Sequence, residues 1–406
     1  MRSADPLRER YDETPYRDQG FPKFDLRRLL GMARLFGLGP DPSTREDLRV
    51  LDLGCASGRH IREQAQRYAG ASFTGVDFSE RELQAGQQAI REAGLDNCEL
   101  VCGDLRTIEL DHGAYDLVVS HGIFSWVPDD VKESILRLAC EALKPGGIVA
   151  IAYVTYPGWK QREAFRELLS FQVRDVTDPD ERLRQAALLL RLLHSGFASH
   201  PENPEAQSLQ RLVEAMQRSS RNAFLHDELG REHDPCYFIQ FVEWARECGL
   251  QYVAESSLET MALDHLPAES KALLAQLSPD FIETQQIIDF LVNRSGRSSL
   301  LCRKDAKPSR SLSAEKLGEL FFGSELIPTE EVDLETDAPS IYKTFQERTI
   351  TVSDKALKRV LANLAEAFPT SLPLDAAIDG CTRIDIEQKL LGLIGLGGVE
   401  VELGPL

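Results

Sequence analysis

Leu48-Arg49-Val50-Leu51-Asp52-Leu53-Gly54-Cys55-Ala56-Ser57-Gly58 decides how the rest of this chain is read. A short apolar run gives way to a loop bounded by glycines, and a helical pattern begins at Gly58. Leu48–Leu53 is mostly apolar and rich in Leu and Val, which suits a buried strand. Moving outward, Gly58 to about Tyr68 reads as a helix and Ser72–Val76 as a second strand. Ser79 is placed to cap a helix that runs to Glu92 and stops at Gly94. Glu99–Cys102 and Tyr115–Ser120 read as the next strands. A helix over Asp129–Leu143 breaks at Lys144-Pro145-Gly146-Gly147, and Ile148–Val154 is a fifth strand. Buried strands alternating with amphipathic helices predict βαβ units and a Rossmann-like, doubly wound α/β sheet covered on both sides. Such a sheet takes its ligands at the carboxyl ends of its strands, where strand order reverses.

The residues at those ends carry the chemistry. Gly54 and Gly58 let the backbone of the loop Gly54-Cys55-Ala56-Ser57-Gly58 turn tightly, and the helix that follows aims free N–H groups into it. The spacing is GxxxG, so the dinucleotide fingerprint GxGxxG is missing. Asp52 sits badly beside a pyrophosphate but suits an ammonium group. A ligand with both carboxylate and ammonium is an amino acid, such as the methionine end of S-adenosylmethionine. Asp77, ending the second strand, can accept from both ribose hydroxyls, and Phe78 can lie against the adenine. Asp104, with Leu105 after the third strand, can accept from the adenine amino group. Each aspartate alone is as well explained as a cap or turn residue; the three in order at βαβαβ spacing point to S-adenosylmethionine, with S-adenosylhomocysteine as product.

The motifs DLGCASG, GVDFS, GDL and LKPGG, in that order, resemble those of class I methyltransferases. More narrowly, the chain resembles protein lysine methyltransferases of the rickettsial type that carry a methyltransferase regulatory domain. That likeness rests on Tyr11–Tyr16 (YDETPY), His121–Pro128 (HGIFSWVP), Tyr153–Trp159 (YVTYPGW), His226–Leu229 (HDEL) and Phe290–Arg294 (FLVNR). It implies Tyr11 and Tyr16 folding over the cofactor, with Ser120 and His121 at the end of the fourth strand beside it. It further implies catalytic roles for His121 and Tyr16, and an acceptor site drawing on Trp126, Tyr153, Trp159, His226 and Glu228. Each has a plainer reading: surface aromatics for the tyrosines, a turn hydrogen bond for His121, core packing for Trp126, and capping for His226, Asp227 and Glu228. The chain departs from the family pattern at Ala56, where a second glycine is usual, at Arg59-His60 for Gly-Asn, and at Val154 and Lys160 for Asn and His.

A class I sheet closes with an antiparallel pair, and Gly249–Ser256 and Ser298–Arg303 fit strands six and seven. Helical insertions then span about 161–248 and 258–295. The expected organisation is a cofactor-binding core over 1–160, a helical lid with strands six and seven over 161–304, and a C-terminal α+β module over 312–406. Lys304–Ser311 reads as a linker. In the module, helices over Val352–Phe368 and Ile384–Ile394 and a strand at Val399–Leu403 suggest a winged-helix-like unit.

Composition bounds the partners. The 406 residues suit two or three domains, and 46 basic against 65 acidic residues give a net charge of −19. Such a surface repels nucleic acid and anionic lipid. The eight cysteines form no CxxC pair and the histidines show no ligand spacing, so neither disulfides nor a metal is expected. With no leader-like start and no long apolar run, the expected setting is the cytoplasm. The expected partner is a protein bearing an accessible lysine or, alternatively, a small-molecule acceptor; a catalytically silent cofactor-binding module is the third reading. A homodimer is admitted alongside a monomer.

Overall fold

The run Leu48–Leu53 forms β1, with parallel neighbours on both sides: β2 (Ala71–Asp77) and β4 (Tyr115–Ser120). Alternate residues of β1 serve opposite faces. Val50 joins a core with Phe73, Leu117 and Ile148, and Leu51 joins another with Val76, Val118 and Val149. With β3 (Cys98–Cys102), β5 (Leu143–Val154), β6 (Leu250–Glu255) and β7 (Gly296–Arg303), the order is β3-β2-β1-β4-β5-β7-β6. β7 runs antiparallel to both its neighbours, which gives the class I methyltransferase ending. The chain leaves β1 toward β2 and later returns on its other side to β4, so a crevice opens between the carboxyl ends of β1 and β4. This computed structural model describes residues 20–40, 47–230, 232–263, 266–278, 280–309, 312, 314–344, 348–381 and 383–404.

Helices cover both faces. α1 (Leu26–Leu35) is capped by Asp25, whose carboxylate accepts from the N–H groups of Arg27 and Arg28. α2 (Arg59–Arg67) starts at Gly58. α3 (Glu80–Glu92) is capped by Ser79 as the sequence predicts, the hydroxyl accepting from the Glu82 N–H. α4 (Asp129–Ala142) runs straight into β5, so the expected break at Lys144–Gly147 is a bulge within a longer strand. Leu143 pairs with Tyr115 and Ile148 with Leu117, and Gly146, at φ 81°, takes the kink.

After β5 come α5 (Lys160–Gln172), α6 (Pro179–Ala198), α7 (Pro204–Gln217), a helical turn ending in a wide π segment over Phe224–Glu228, and α8 (Phe238–Glu247). Part of this insertion has its own small core, built on Leu169, Val213, Met216 and Phe224. Between β6 and β7 lie α9 (Ala268–Leu277) and α10 (Phe281–Leu291). The insertion is tied to the sheet by Arg297, fully buried on β7. Its guanidinium donates to Asp289 of α10 at 2.7 and 2.9 Å and to Glu255 of β6 at 2.6 Å, and lies 3.8 Å from the Phe238 ring centre. A charge cluster this deep holds one arrangement, because losing either carboxylate strands a cation out of water.

The C-terminal region contains the two expected helices, α11 (Lys355–Ala367) and α13 (Arg383–Gly395), separated by the short α12 (Leu374–Ala377). Its last strand, β13 (Glu400–Leu403), pairs with β8 (Leu320–Gly323), which also pairs with β12 (Leu372–Pro373). A second small sheet of β9 (Ile327–Pro328), β10 (Ser340–Lys343) and β11 (Thr349–Val352) was not expected. Nor does the region hang from a free linker. β13 lies against α1 so closely that a Cβ on Gly31 would stand 2.8 Å from Glu402 Cα, and Arg28 pairs with Glu400 at 2.6 Å. Phe322, Val360 and Leu390 continue the core of Val50 and Phe73.

Because β7 supplies the hydrogen-bonding neighbour of β5, a fragment of residues 1–160 keeps an open sheet edge and loses the cover that Phe238, Phe241 and Val242 of α8 give one face. It should aggregate or lack cooperative unfolding, as measured by size-exclusion chromatography and urea titration. A monomeric, cooperative fragment would overturn this account of the fold.

Candidate active site

The ends of β1, β2, β3 and β4 open on one cleft of about 350 Å³. Its floor is the loop after β1. Gly54, Ala56 and Gly58 all have positive φ, at 83°, 49° and 67°. A Cβ on Gly54 would come within 2.5 Å of the Ile123 side chain, so glycine is required there by both angle and space. Ala56 accepts the left-handed conformation at a cost of about 1 kcal/mol, which is the physical reason a glycine is at home at this position. The strain is held by Asp77. Its Oδ2 accepts from the Ala56 N–H and its Oδ1 from the Ser79 N–H, both at 2.9 Å, so one carboxylate joins the loop to the end of β2.

Phe78, Leu105 and Arg106 extend the cleft along the ends of β2 and β3, and Gly20 and Phe21 close it from the N-terminal side. The far wall is Trp126, Val127 and Val131, and His226 and Asp227 reach in from the π segment of the insertion. The insertion therefore supplies part of the cleft wall. Asp104 is half-exposed, and its carboxylate is held by Arg106, which keeps it below the usual carboxylate range.

His121 stands at the end of β4 with Nε2 3.9 Å from Asp52 Oδ2, the aspartate being completely buried beneath the loop. Phe21 stacks on the imidazole at 5.3 Å between ring centres, and His60 meets it edge-on at 4.7 Å. Burial disfavours the imidazolium and lowers His121 to about 4; burial, then His121 and Arg67, lower His60 to about 3. Both rings are neutral at neutral pH.

Of the residues singled out in the sequence, Gly54, Cys55, Ala56, Asp77, Phe78 and Asp104 all line this cleft, and so do Leu105, His121, Trp126 and His226. Others are placed elsewhere. Ser120 is buried, its hydroxyl donating to the Leu53 carbonyl at 3.0 Å, a tie between β4 and β1. Tyr153 lies in the core, stacked on Phe241 at 4.1 Å with its hydroxyl 3.2 Å from Ser299 Oγ, because it points into the helix-covered face of β5. Glu228 is buried in an ion pair with Arg162 and is not part of the cleft lining. Trp159 backs Trp126 edge-on at 6.2 Å, with Arg162 over its other side. Tyr11 and Tyr16 lie outside the described residues. Phe21, Ile123 and Arg106 were missed as site residues: Ile123 stands inside the HGIFSWVP segment without being singled out, no motif marks Phe21 or Arg106, and only the folded chain brings the three to the cleft. Among the described residues no cluster of three or more His, Cys, Asp or Glu is placed to hold a metal, and no helix is long and apolar enough to cross a membrane.

Residues 50–147 match the methyltransferase domain family, and residues 220–303 match the predicted methyltransferase regulatory domain. The chain is 30% identical to RP028 of Rickettsia prowazekii over 58% of its own length and 94% of that protein. It is 29% identical to RP789 of the same organism over 88% of its length, and spans 65% of that longer relative. Its structure is similar to that of PKMT2 from Rickettsia typhi, solved alone and in complex with AdoHcy. The TM-score is 0.82 at 26% identity, covering 96% of this chain and 78% of that one.

The two neutral histidines make stability pH-dependent. Their folded-state values lie below the ordinary 6.5, so the stabilisation is fully present above about pH 6.5 and is lost as pH falls toward 4. In that window each ring protonates only in the unfolded chain, costing about 1.4 kcal/mol per pH unit. Urea titrations at pH 7 and pH 5 should show a marked fall in stability, reduced in His121→Asn; an unchanged midpoint would contradict the buried, neutral assignment.

Proposed function

Since the chain belongs to the class I S-adenosylmethionine-dependent methyltransferases that carry a methyltransferase regulatory domain, we propose that it binds S-adenosylmethionine in this cleft and methylates lysine side chains of a protein. The observation that carries the cofactor reading is the Asp77 carboxylate, held by two backbone N–H groups at the cleft floor beside Phe78. The donor set fits the group. A left-handed loop at a helix start suits the amino-acid carboxylate, buried Asp52 supplies negative charge beneath the ammonium, Asp77 suits the ribose, and Phe78 offers a face to the adenine.

When bound, the cofactor supplies an already activated methyl group, so the protein's task is positioning and exclusion of water. Trp126, Val127 and Val131 give the acceptor side an apolar wall, which lowers the pKa of an entering lysine and favours the attacking neutral amine. Asp227 at the rim and the net charge of −19 favour the approach of a cationic side chain. His121, held near 4, is too weak a base to keep the amine's proton at neutral pH; it serves as a neutral orienting group, and the proton leaves to water. The lysine acceptor is supported by the similarity to PKMT2, whose name denotes a protein lysine methyltransferase.

In calorimetry with S-adenosylhomocysteine, Asp77→Ala should lower affinity more than tenfold while the protein stays folded. Unchanged affinity would remove Asp77 from the site. Incubation with methyl-labelled S-adenosylmethionine and cell lysate should label protein lysines at a rate that rises with pH, and His121→Ala should reduce turnover more than cofactor affinity. Label found only on metabolites would leave a small-molecule methyltransferase.

A further inference from the structure

The Asp104 carboxylate has about four acceptor directions, and three N–H groups of Arg106 crowd both its oxygens, the single Nε hydrogen being shared between them. The Arg106 backbone N–H and Nε reach Oδ1 at 2.9 Å each; Nε reaches Oδ2 at 3.1 Å and Nη2 reaches Oδ2 at 2.7 Å. Both residues line the cleft on the side of Phe78, where the adenine is placed by the cofactor reading on which this inference rests. An exocyclic amino group at Asp104 competes with the guanidinium for that fork. A second carboxylate is already in reach: Asp130, in the first turn of α4, stands 3.6 Å from Arg106 Nη1.

We propose that Arg106 is a specificity-determining competitor at the base subsite. It neutralises Asp104 while the subsite is empty, and swings toward Asp130 when a 6-amino purine arrives. The guanidinium is a pure donor and the amino group is also a donor, so the two compete for one acceptor. A 6-oxo purine reverses the preference: its carbonyl accepts from Arg106, and only its N1–H is left to donate to Asp104. The pair thus sets how strongly adenine is chosen over hypoxanthine. Arg106 is about one-third exposed, so the competition is worth only a few-fold in affinity, the range of a solvent-accessible ion pair.

The test is calorimetry on the full chain, wild type against R106A and D130N, with S-adenosylhomocysteine and its 6-oxo analogue S-inosylhomocysteine. R106A should bind S-adenosylhomocysteine about threefold more tightly and the 6-oxo analogue no more tightly than wild type. D130N, which removes the charge of the alternative partner, should bind S-adenosylhomocysteine about twofold more weakly. Raising salt should strengthen wild-type binding of S-adenosylhomocysteine relative to R106A, since salt weakens the competing pair. If R106A binds both ligands equally better, Arg106 is a steric or structural element and the competition is overturned. Unchanged or weaker binding of S-adenosylhomocysteine by R106A overturns it as well. Absence of binding by wild type and variants alike would overturn the cofactor reading, and this inference with it.

Discussion

The carboxylate of Asp77 is the contact on which the cleft depends. It receives the Ala56 N–H from the loop after β1 and the Ser79 N–H from the start of α3. Two consecutive βα turns are thereby locked to one side chain. A loop with left-handed residues at Gly54, Ala56 and Gly58 has several tight-turn alternatives, and a charged acceptor with fixed position selects one. Gly86 of α3 completes the clamp from above, since a Cβ there would collide with the Ser57 carbonyl. α3 therefore lies directly on the loop it helps to shape.

The fold places this clamp at the switch point and then encloses it with pieces from distant parts of the chain. Phe21 comes from the N-terminal side, Trp126 from the loop after β4, and His226 and Asp227 from the insertion. That insertion is not free to drift, because its Asp234 N–H donates to the Ser125 carbonyl at 2.9 Å and its Cys236 carbonyl accepts from the Thr155 hydroxyl at 2.7 Å, while Arg297 binds α10, β6 and β7 into one buried ionic unit. The C-terminal region likewise supports the N-terminal one, with β13 seated on α1 through Gly31 and the Arg28–Glu400 pair. α1 in turn is capped by Asp25, to which the Tyr68 hydroxyl at the end of α2 donates at 2.8 and 2.9 Å. Stability and site geometry are thus linked through contacts on both faces of the sheet.

The electrostatics of the cleft follow from burial more than from pairing. Asp52 is fully enclosed, and the neutral His121, which lines the cleft, stands 3.9 Å from it. Asp104 and Arg106 at the outer edge are only partly enclosed, so their interaction remains exchangeable. A fixed inner half and an adjustable outer half suit a ligand whose charged end is always the same and whose base must be discriminated.

How much of this was legible beforehand differs by residue. The strands, their order of use, Ser79 as a cap and Asp77 at a strand end are local consequences of apolar periodicity and capping chemistry, which neighbouring residues alone determine. The glycine loop was equally readable, because backbone angles forbid most side chains there. Other assignments required the folded chain. Tyr153 and Glu228 stand in segments that resemble a known family, yet Tyr153 faces the core beside Phe241 and Glu228 turns to Arg162. The face a side chain takes depends on the long-range packing of β5 and the insertion, which no short motif encodes. Phe21 on His121, Arg106 across Asp104 and β13 on α1 are contacts between segments far apart in sequence or set by side-chain competition. The sequence by itself determined the sheet and where a ligand must bind; tertiary packing decided which side chains reach that place and which charges they meet there.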